Sequence, residues 1–403
     1  MMKNMKHIML LLLLMTCFIQ LSGNGRPIAV VPFDLSGSYI IISARVNQGT
    51  SLQFIFDTGL RHSIITHLDE NDVVNLNNQR KVPLQGLGQG LDLVALASDN
   101  NVLSMGNFSL KNLTVFVLEE DFLQLSEMNG RKINGIVGVD LLKPYVVQID
   151  YTNRRLRFYK PEGFTAPKKY KKRQLFIENN KIFMMMTLLD SSLKLRTIKM
   201  LIDTGARLNA WFQTVTGNFE SLPEKKVYTR IGTGFSGDVY GYLAKIPQIC
   251  LEEHCFNHPI VAFPDSAVIA ELVRRSDRDG SIGSELLSRF DLYIDFPGSM
   301  MYFKPNDRFK LPFRYNIAGI EISQSYFPLP GFSIANVWKN SPADRAGLKT
   351  GDVIIGVNGE NAIAMTMNEL LAIFEQPSRR PMQVVITREN KTIQFQVEMR
   401  DLL

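Results

Sequence analysis

Apolar residues fall in short runs along most of the chain, with polar or glycine-containing turns between them. The runs at 39–46, 52–56, 91–97, 113–118, 146–151 and 155–159 are rich in Val, Ile and Phe, which predicts an all-β unit with little helix over residues 26–160. Residues 161–173 break the rhythm with Pro161, Gly163, Pro167 and the basic cluster Lys168-Lys169-Tyr170-Lys171-Lys172-Arg173, and read as a solvated linker. From Gln174 the order of runs begins again and continues to residue 305. A third stretch, 313–401, carries runs at 317–322, 332–337, 353–357, 382–387 and 392–397, with one amphipathic helix at 366–375 closed by Pro377 and Ser378. It reads as a separate small α+β module.

The second rhythm is a copy of the first. Phe54-Ile55-Phe56-Asp57-Thr58-Gly59 recurs as Met200-Leu201-Ile202-Asp203-Thr204-Gly205, an offset of 146 positions. Gly86-Leu87-Gly88 recurs as Gly232-Thr233-Gly234, and Asp92 as Asp238, at the same offset. Slightly shifted, Gly135-Ile136-Val137-Gly138-Val139-Asp140-Leu141-Leu142 recurs as Gly280-Ser281-Ile282-Gly283-Ser284-Glu285-Leu286-Leu287, and Asp150 as Asp295. A shared offset across so many features marks an internal duplication, with two β lobes at 26–160 and 174–305.

In each lobe an apolar strand delivers an aspartate into a turn where glycine permits close backbone approach. A lone buried carboxylate is costly, but two brought together by pseudo-twofold symmetry can share one proton. Such a pair can activate a water: one acid takes the proton of the water, while the other, protonated, hydrogen-bonds a substrate carbonyl. Neither lobe can do this alone.

Length and composition set the surroundings. A chain of 403 residues exceeds one ordinary core, and its 45% hydrophobic and 21% charged content is that of a folded protein. Of the formal charge of +6, Lys3 and Lys6 belong to the N-terminal leader and the remaining excess is dispersed, so nucleic acid is not an expected partner. Residues 1–25 have the order of a secretory signal peptide: two lysines, an apolar run from Ile8 to Ile19, then Ser22 and Gly23. Leu14-Met15-Thr16-Cys17 also resembles a lipoprotein processing site with an unusual Thr, so cleavage near Ser22 or Gly23 and lipidation at Cys17 both stay open. Either way the protein is expected to be exported, periplasmic or associated with the cell envelope, and membrane-held only if Cys17 is lipidated.

After the leader, the remaining cysteines are Cys250 and Cys255, flanking a predicted hairpin turn; a cross-strand disulfide suits an oxidising compartment. His254 and His258 stand too close to them for ordinary zinc spacing, and neither a metal nor another cofactor is expected. His62 and His67 are expected to be surface or groove-lining, since no Ser or Cys with a partner base recurs in the repeat.

The two repeats together resemble the retropepsin-like aspartic peptidases, whose halves each carry Asp-Thr-Gly, a glycine-rich flap hairpin and an apolar-apolar-Gly motif before a short helix. The resemblance implies a mainly β fold: two retropepsin-like closed β-barrel lobes forming a pepsin-like bilobed, monomeric body. By position, Asp57 and Asp203 become the catalytic acids of an aspartic endopeptidase, and Thr58 and Thr204 tie the two loops together, with Gly59 and Gly205 allowing the turns. Gly86, Gly88 and Gly90, and Gly232, Gly234 and Gly237, become flap tips over an extended polypeptide substrate. Ile136-Val137-Gly138 and Ser281-Ile282-Gly283 support the loops from below. The sequence departs from the pattern after the glycines: Ala206 is the usual small residue, but Leu60 is bulky. With no serine there to favour the ionised pair, a mildly acidic to neutral pH optimum is expected.

The C-terminal stretch resembles a PDZ domain of the bacterial protease-associated kind, through Asn340-Ser341-Pro342-Ala343, Ala346-Gly347-Leu348, Gly351-Asp352 and Val357-Asn358-Gly359. By resemblance, the backbone of Leu329, Pro330, Gly331 and Phe332 would hold a peptide C-terminus. The strand from Phe332 would pair with the peptide or another extended strand, beside a groove closed by Leu370, Leu371 and Phe374. The module would then recruit or gate polypeptide substrates. The alternative is a catalytically inactive, peptidase-like PDZ scaffold of the cell envelope.

Overall fold

The computed structural model describes residues 25–84, 93–190, 192–214, 222–235, 237–325 and 331–403. The leader with Cys17, the tip 85–92 with Gly86, Gly88 and Gly90, and the turn 326–330 with Leu329 and Pro330 lie outside the described residues. Among the described residues no helix is long and apolar enough to cross a membrane.

Each repeat folds as its own curled sheet. In lobe one, strand Leu52–Phe56 has four buried side chains out of five. It runs between an antiparallel neighbour, Tyr39–Val46, and a parallel one, Gly135–Val137. Strand Leu93–Met105, longer than the apolar run predicted at 91–97, reaches round to pair with Tyr39–Val46 at Arg45↔Ser104 and closes the sheet on itself. Lobe two repeats the centre of this plan, with Leu195–Ile202 between antiparallel Lys181–Leu189 and parallel Gly280–Ile282. Glycine is needed at the head of both parallel strands because a side chain on Gly135 would strike the carbonyl of Ile64, and one on Gly280 the carbonyl of Trp211.

A third sheet joins the lobes. Lobe one supplies Ala29–Pro32, Arg155–Tyr159 and Val146–Asp150; lobe two supplies Phe290–Asp295, Met300–Pro305 and Lys171–Gln174. The seam is the antiparallel pairing of Val146–Asp150 with Phe290–Asp295, the strands that carry the repeated Asp150 and Asp295. One apolar core runs through both lobes and this sheet, so the halves are fixed relative to one another by burial as well as by backbone hydrogen bonds.

The predicted linker ends in a strand: Lys171, Lys172 and Arg173 pair with Phe303, Tyr302 and Met301 in the joining sheet, with Lys168, Lys169, Lys171 and Lys172 exposed, and Tyr170 stacks edge-on against Tyr293. Acids opposite hold the cations, Glu253 against Lys171 and Glu252 against Arg173. Those acids sit in the turn of the predicted hairpin, where Cys250 and Cys255 face each other and form the disulfide.

The C-terminal module is a separate antiparallel sheet with its own core. Its helix Met367–Phe374 lies within the predicted 366–375 and begins with a capping box of Thr366 and Glu369. Here an expectation fails. Strand Gly331–Val337 is internal, paired with Ile320–Ser325 along one side and with Ile354 and Val353 through Phe332 and Ser333 on the other. The strand at the sheet's edge is Ile320–Ser325, entered through Ile317-Ala318-Gly319 with Gly319 at φ +73°. Phe332, Leu370 and Phe374 are core residues of the module and not the walls of an open groove.

Candidate active site

The two Asp-Thr-Gly turns meet at the lobe interface and are locked by a reciprocal set of hydrogen bonds. Thr58 Oγ1 donates to the Ile202 carbonyl (2.7 Å) and accepts from the Thr204 amide (3.1 Å). Thr204 Oγ1 donates to the Phe56 carbonyl (2.8 Å) and accepts from the Thr58 amide (3.0 Å). Both threonines are 0% exposed, so these bonds have no competing water.

The grip brings the acids together. The Gly59 amide donates to Asp57 Oδ1 (2.6 Å) and the Gly205 amide to Asp203 Oδ1 (3.2 Å). Each glycine also lies against the opposite carboxyl: a side chain on Gly59 would collide with Asp203, and one on Gly205 with Asp57. The carboxyls hydrogen-bond each other, which requires one shared proton.

That proton is not evenly placed. Burial raises both acids, and the neighbouring Asp203 charge pushes Asp57 further, well above the ordinary carboxylate range. Against the burial of Asp203 stand the Arg278 guanidinium, the hydrogen bond from Asp57, the Gly205 amide and the Lys181 ammonium, which favour its ionised form. Both acids are thus raised, and the cations and donors gathered at Asp203 bias the proton of the pair toward Asp57. Tyr39, in lobe one, also borders the pair; burial pushes its hydroxyl up to about 12, so it stays a neutral hydrogen-bonding group.

Of the predicted flap residues, Gly232, Gly234 and Gly237 lie in one hairpin. They end the hairpin of Lys226–Gly234 and Gly237–Lys245, whose last pair is Gly234↔Gly237. Its tip residue Phe235 crosses to lobe one and, with Tyr39, Leu60 and Leu125, packs on the buried cluster Ile41, Ile55, Leu123, Ile133 and Ile136. The lobe-one hairpin of Gln79–Leu84 and Leu93–Met105 is paired up to Leu84↔Leu93, immediately before the tip that lies outside the described residues. His62 is turned to Asp140 (2.7 Å) and Phe116 and lines no reacting group. Among the described residues no cluster of three metal-ligating side chains occurs.

The C-terminal module touches this machinery. Arg230, on the lobe-two flap, donates to Asp238 across the hairpin (3.0 Å) and through Nε to Glu321 on the edge strand of the module (2.7 Å). Helix Leu125–Asn129 of lobe one ends at Gly130 against Gln324 and Met367 of the module, and its Leu125 joins the cluster under Phe235. Trp338 of the module packs with Trp211 and Leu243 of lobe two. Tyr39, Lys181, Arg278, Phe235 and Arg230 had no motif to announce them.

Comparison with known proteins divides the chain the same way. Residues 42–141 match the family model described as aspartyl protease, and residues 333–388 the one described as PDZ domain. The chain thus carries an aspartyl protease domain and a PDZ domain. The first match contains Asp57 and Ile136-Val137-Gly138 and stops short of Asp203, whose equivalence rests on the duplication and the grip. No curated protein sequence matches the chain. Among solved structures, it is similar to the crystal structure of aspartic proteinase from Irpex lacteus, with 12% identity, a TM-score of 0.44, and coverage of 70% of this chain and 98% of that one.

Proposed function

We propose that this protein is an aspartic endopeptidase in which Asp203 and Asp57 act as one catalytic unit on a polypeptide substrate. The observation that carries the reading is the pair itself: two part-buried carboxyls, hydrogen-bonded to each other at the meeting point of two interlocked Asp-Thr-Gly turns. Ionised Asp203 takes a proton from a water while the water oxygen bonds to the scissile carbonyl carbon. Protonated Asp57 gives its proton to the carbonyl oxygen, so the tetrahedral intermediate is neutral. Return of that proton to Asp57 and delivery of the other from Asp203 to the amide nitrogen break the C–N bond and restore the pair.

In this reading the PDZ domain serves the same substrates, by recruiting extended chains along Ile320–Ser325 or by gating the flap through Glu321 and Arg230. Export fits the leader at 1–25 and the Cys250–Cys255 disulfide, and Cys17 lipidation would add an anchor. The test is cleavage of an unfolded polypeptide by the full chain, by Asp57→Asn and Asp203→Asn, and by Glu321→Gln. Each aspartate variant is expected to lose roughly 10²- to 10⁴-fold in rate, and cleavage surviving in both would refute the pair mechanism. Absence of cleavage by the wild type at any pH would leave the inactive scaffold as the better account. Glu321→Gln is expected to change the rate on this substrate; identical kinetics would leave recruitment without gating.

A further inference from the structure

The lobes share a backbone but not the side chains around the acids. Strand registers give the equivalences: Ile41 pairs with Ile55 as Phe183 pairs with Leu201, Phe54 with Gly135 as Met200 with Gly280, and Ile64 with Ile136 as Trp211 with Ser281. Counting from these pairs, Tyr39 corresponds to Lys181, Ile133 to Arg278, Ile136 to Ser281 and Leu60 to Ala206. The lobe-one set forms the apolar pocket that holds Phe235. The lobe-two set is polar and cationic.

Arg278 is the anomaly in that set. It is 3% exposed, its guanidinium lies over the Trp211 ring at 5.0 Å, and its Nε and Nη1 have no hydrogen-bond partner among the described residues. Ser281 Oγ, at 0% exposure, is likewise without a partner among them. Lys181 is half-buried, and its ammonium feels both Arg278 and the two catalytic carboxyls. A second cation close to Arg278, whose buried donors have no partner among the described residues, is costly unless an acceptor arrives. Asp203 answers part of this charge, but it is itself committed to Asp57 and the Gly205 amide.

We infer that the lobe-two side of the cleft is a subsite for an acidic side chain, with Arg278 and Lys181 receiving the carboxylate of an Asp or Glu next to the scissile bond. The equivalent lobe-one surface is apolar and covered by Phe235. The subsite rests on the peptidase reading above and names its substrate class. Carboxylate binding would give Arg278 the charge-assisted partner it lacks, in a setting where such bonds are strong.

The test uses the full mature chain and peptides that differ at one position beside the cleaved bond: Glu, Gln, Leu or Lys. Glu is expected to exceed Gln by roughly ten- to hundred-fold in kcat/KM, the size of a hydrogen-bonded charge. Arg278→Met is expected to bring that ratio close to one, and Lys181→Met to lower it as well, which covers a failure of the first variant to fold. Equal cleavage of the Glu and Gln peptides by the wild type would overturn the subsite. So would an Arg278→Met enzyme that keeps the ratio while its pH profile shifts, because Arg278 would then serve Asp203 alone. If no peptide is cleaved, the peptidase reading falls instead, and equilibrium binding of the Glu and Gln peptides to Asp57→Asn decides the subsite separately: tighter binding of Glu upholds it, equal binding removes it.

Discussion

Lobe one and lobe two make the same turn, the same grip and the same parallel strand beneath the acid, yet they present opposite faces to whatever lies in the cleft. Beside Asp57 stand Tyr39, Leu60, Ile133 and Ile136; beside Asp203 stand Lys181, Ala206, Arg278 and Ser281. Backbone symmetry builds the pair, because each threonine must reach the other strand and each glycine must clear the other carboxyl. Side-chain asymmetry then divides the roles. Two acids in identical surroundings would share the proton evenly, whereas cations on one side bias it toward Asp57.

The symmetric part is the costliest to break. Thr58→Val strips the partners from the Thr204 amide and the Ile202 carbonyl, and Thr204→Val does the same to the Thr58 amide and the Phe56 carbonyl. Each is expected to cost roughly 1–3 kcal/mol per orphaned buried group. Denaturant unfolding should show losses of similar size for the two variants, and a double variant that loses much less than the sum. Loss confined to one threonine would mean that the grip is not reciprocal.

The asymmetric part has a pH signature of opposite sign. Asp57 is held protonated in the fold, above its ordinary value of 3.8, while the unfolded chain ionises it. Its contribution to stability is therefore full below that value and is lost as pH rises through the raised one. Asp57→Asn removes this dependence, so it should unfold at a higher temperature than the wild type near neutral pH, with the advantage shrinking as pH falls below about 4. An advantage independent of pH would show that Asp57 is not the proton carrier. Asp203→Asn should give the smaller gain, since Arg278 and Lys181 then lose their anion.

The sequence carried the pair clearly because Asp-Thr-Gly needs its own residues wherever it occurs, so the repeat survives at one offset. It carried the closing helix of the PDZ domain for a similar reason, since Thr366 and Glu369 cap it locally. What surrounds the acids was not legible, because equivalence there is a matter of strand register: Tyr39 and Lys181, or Ile133 and Arg278, share a place without sharing chemistry. The PDZ groove misled for a different reason. An apolar-Gly-apolar turn occurs both at Pro330-Gly331-Phe332 and at Ala318-Gly319-Ile320, and only sheet order reveals that the second leads into the edge strand. In the basic cluster the lysines are exposed as read, but the strand pairing of Lys171 to Gln174 was not legible, because its partner, Met300–Pro305, lies far along the chain.

The departure at Leu60 now has a physical role. Where lobe two has Ala206, the leucine packs on the same two lobe-one apolar clusters as Phe235, so it adds to the apolar surface onto which the lobe-two flap closes. Leu60→Ala should weaken that closure without touching either carboxyl. The side chain is only part-buried, so the expected loss is small, on the order of 1 kcal/mol or less than tenfold in kcat/KM. Under the proposed peptidase reading it should fall mainly on KM, because there the flap would hold substrate and the pair perform the chemistry. Steady-state kinetics on an apolar-flanked peptide would check this: a fall in kcat at constant KM would place Leu60 with the acids instead of with the flap.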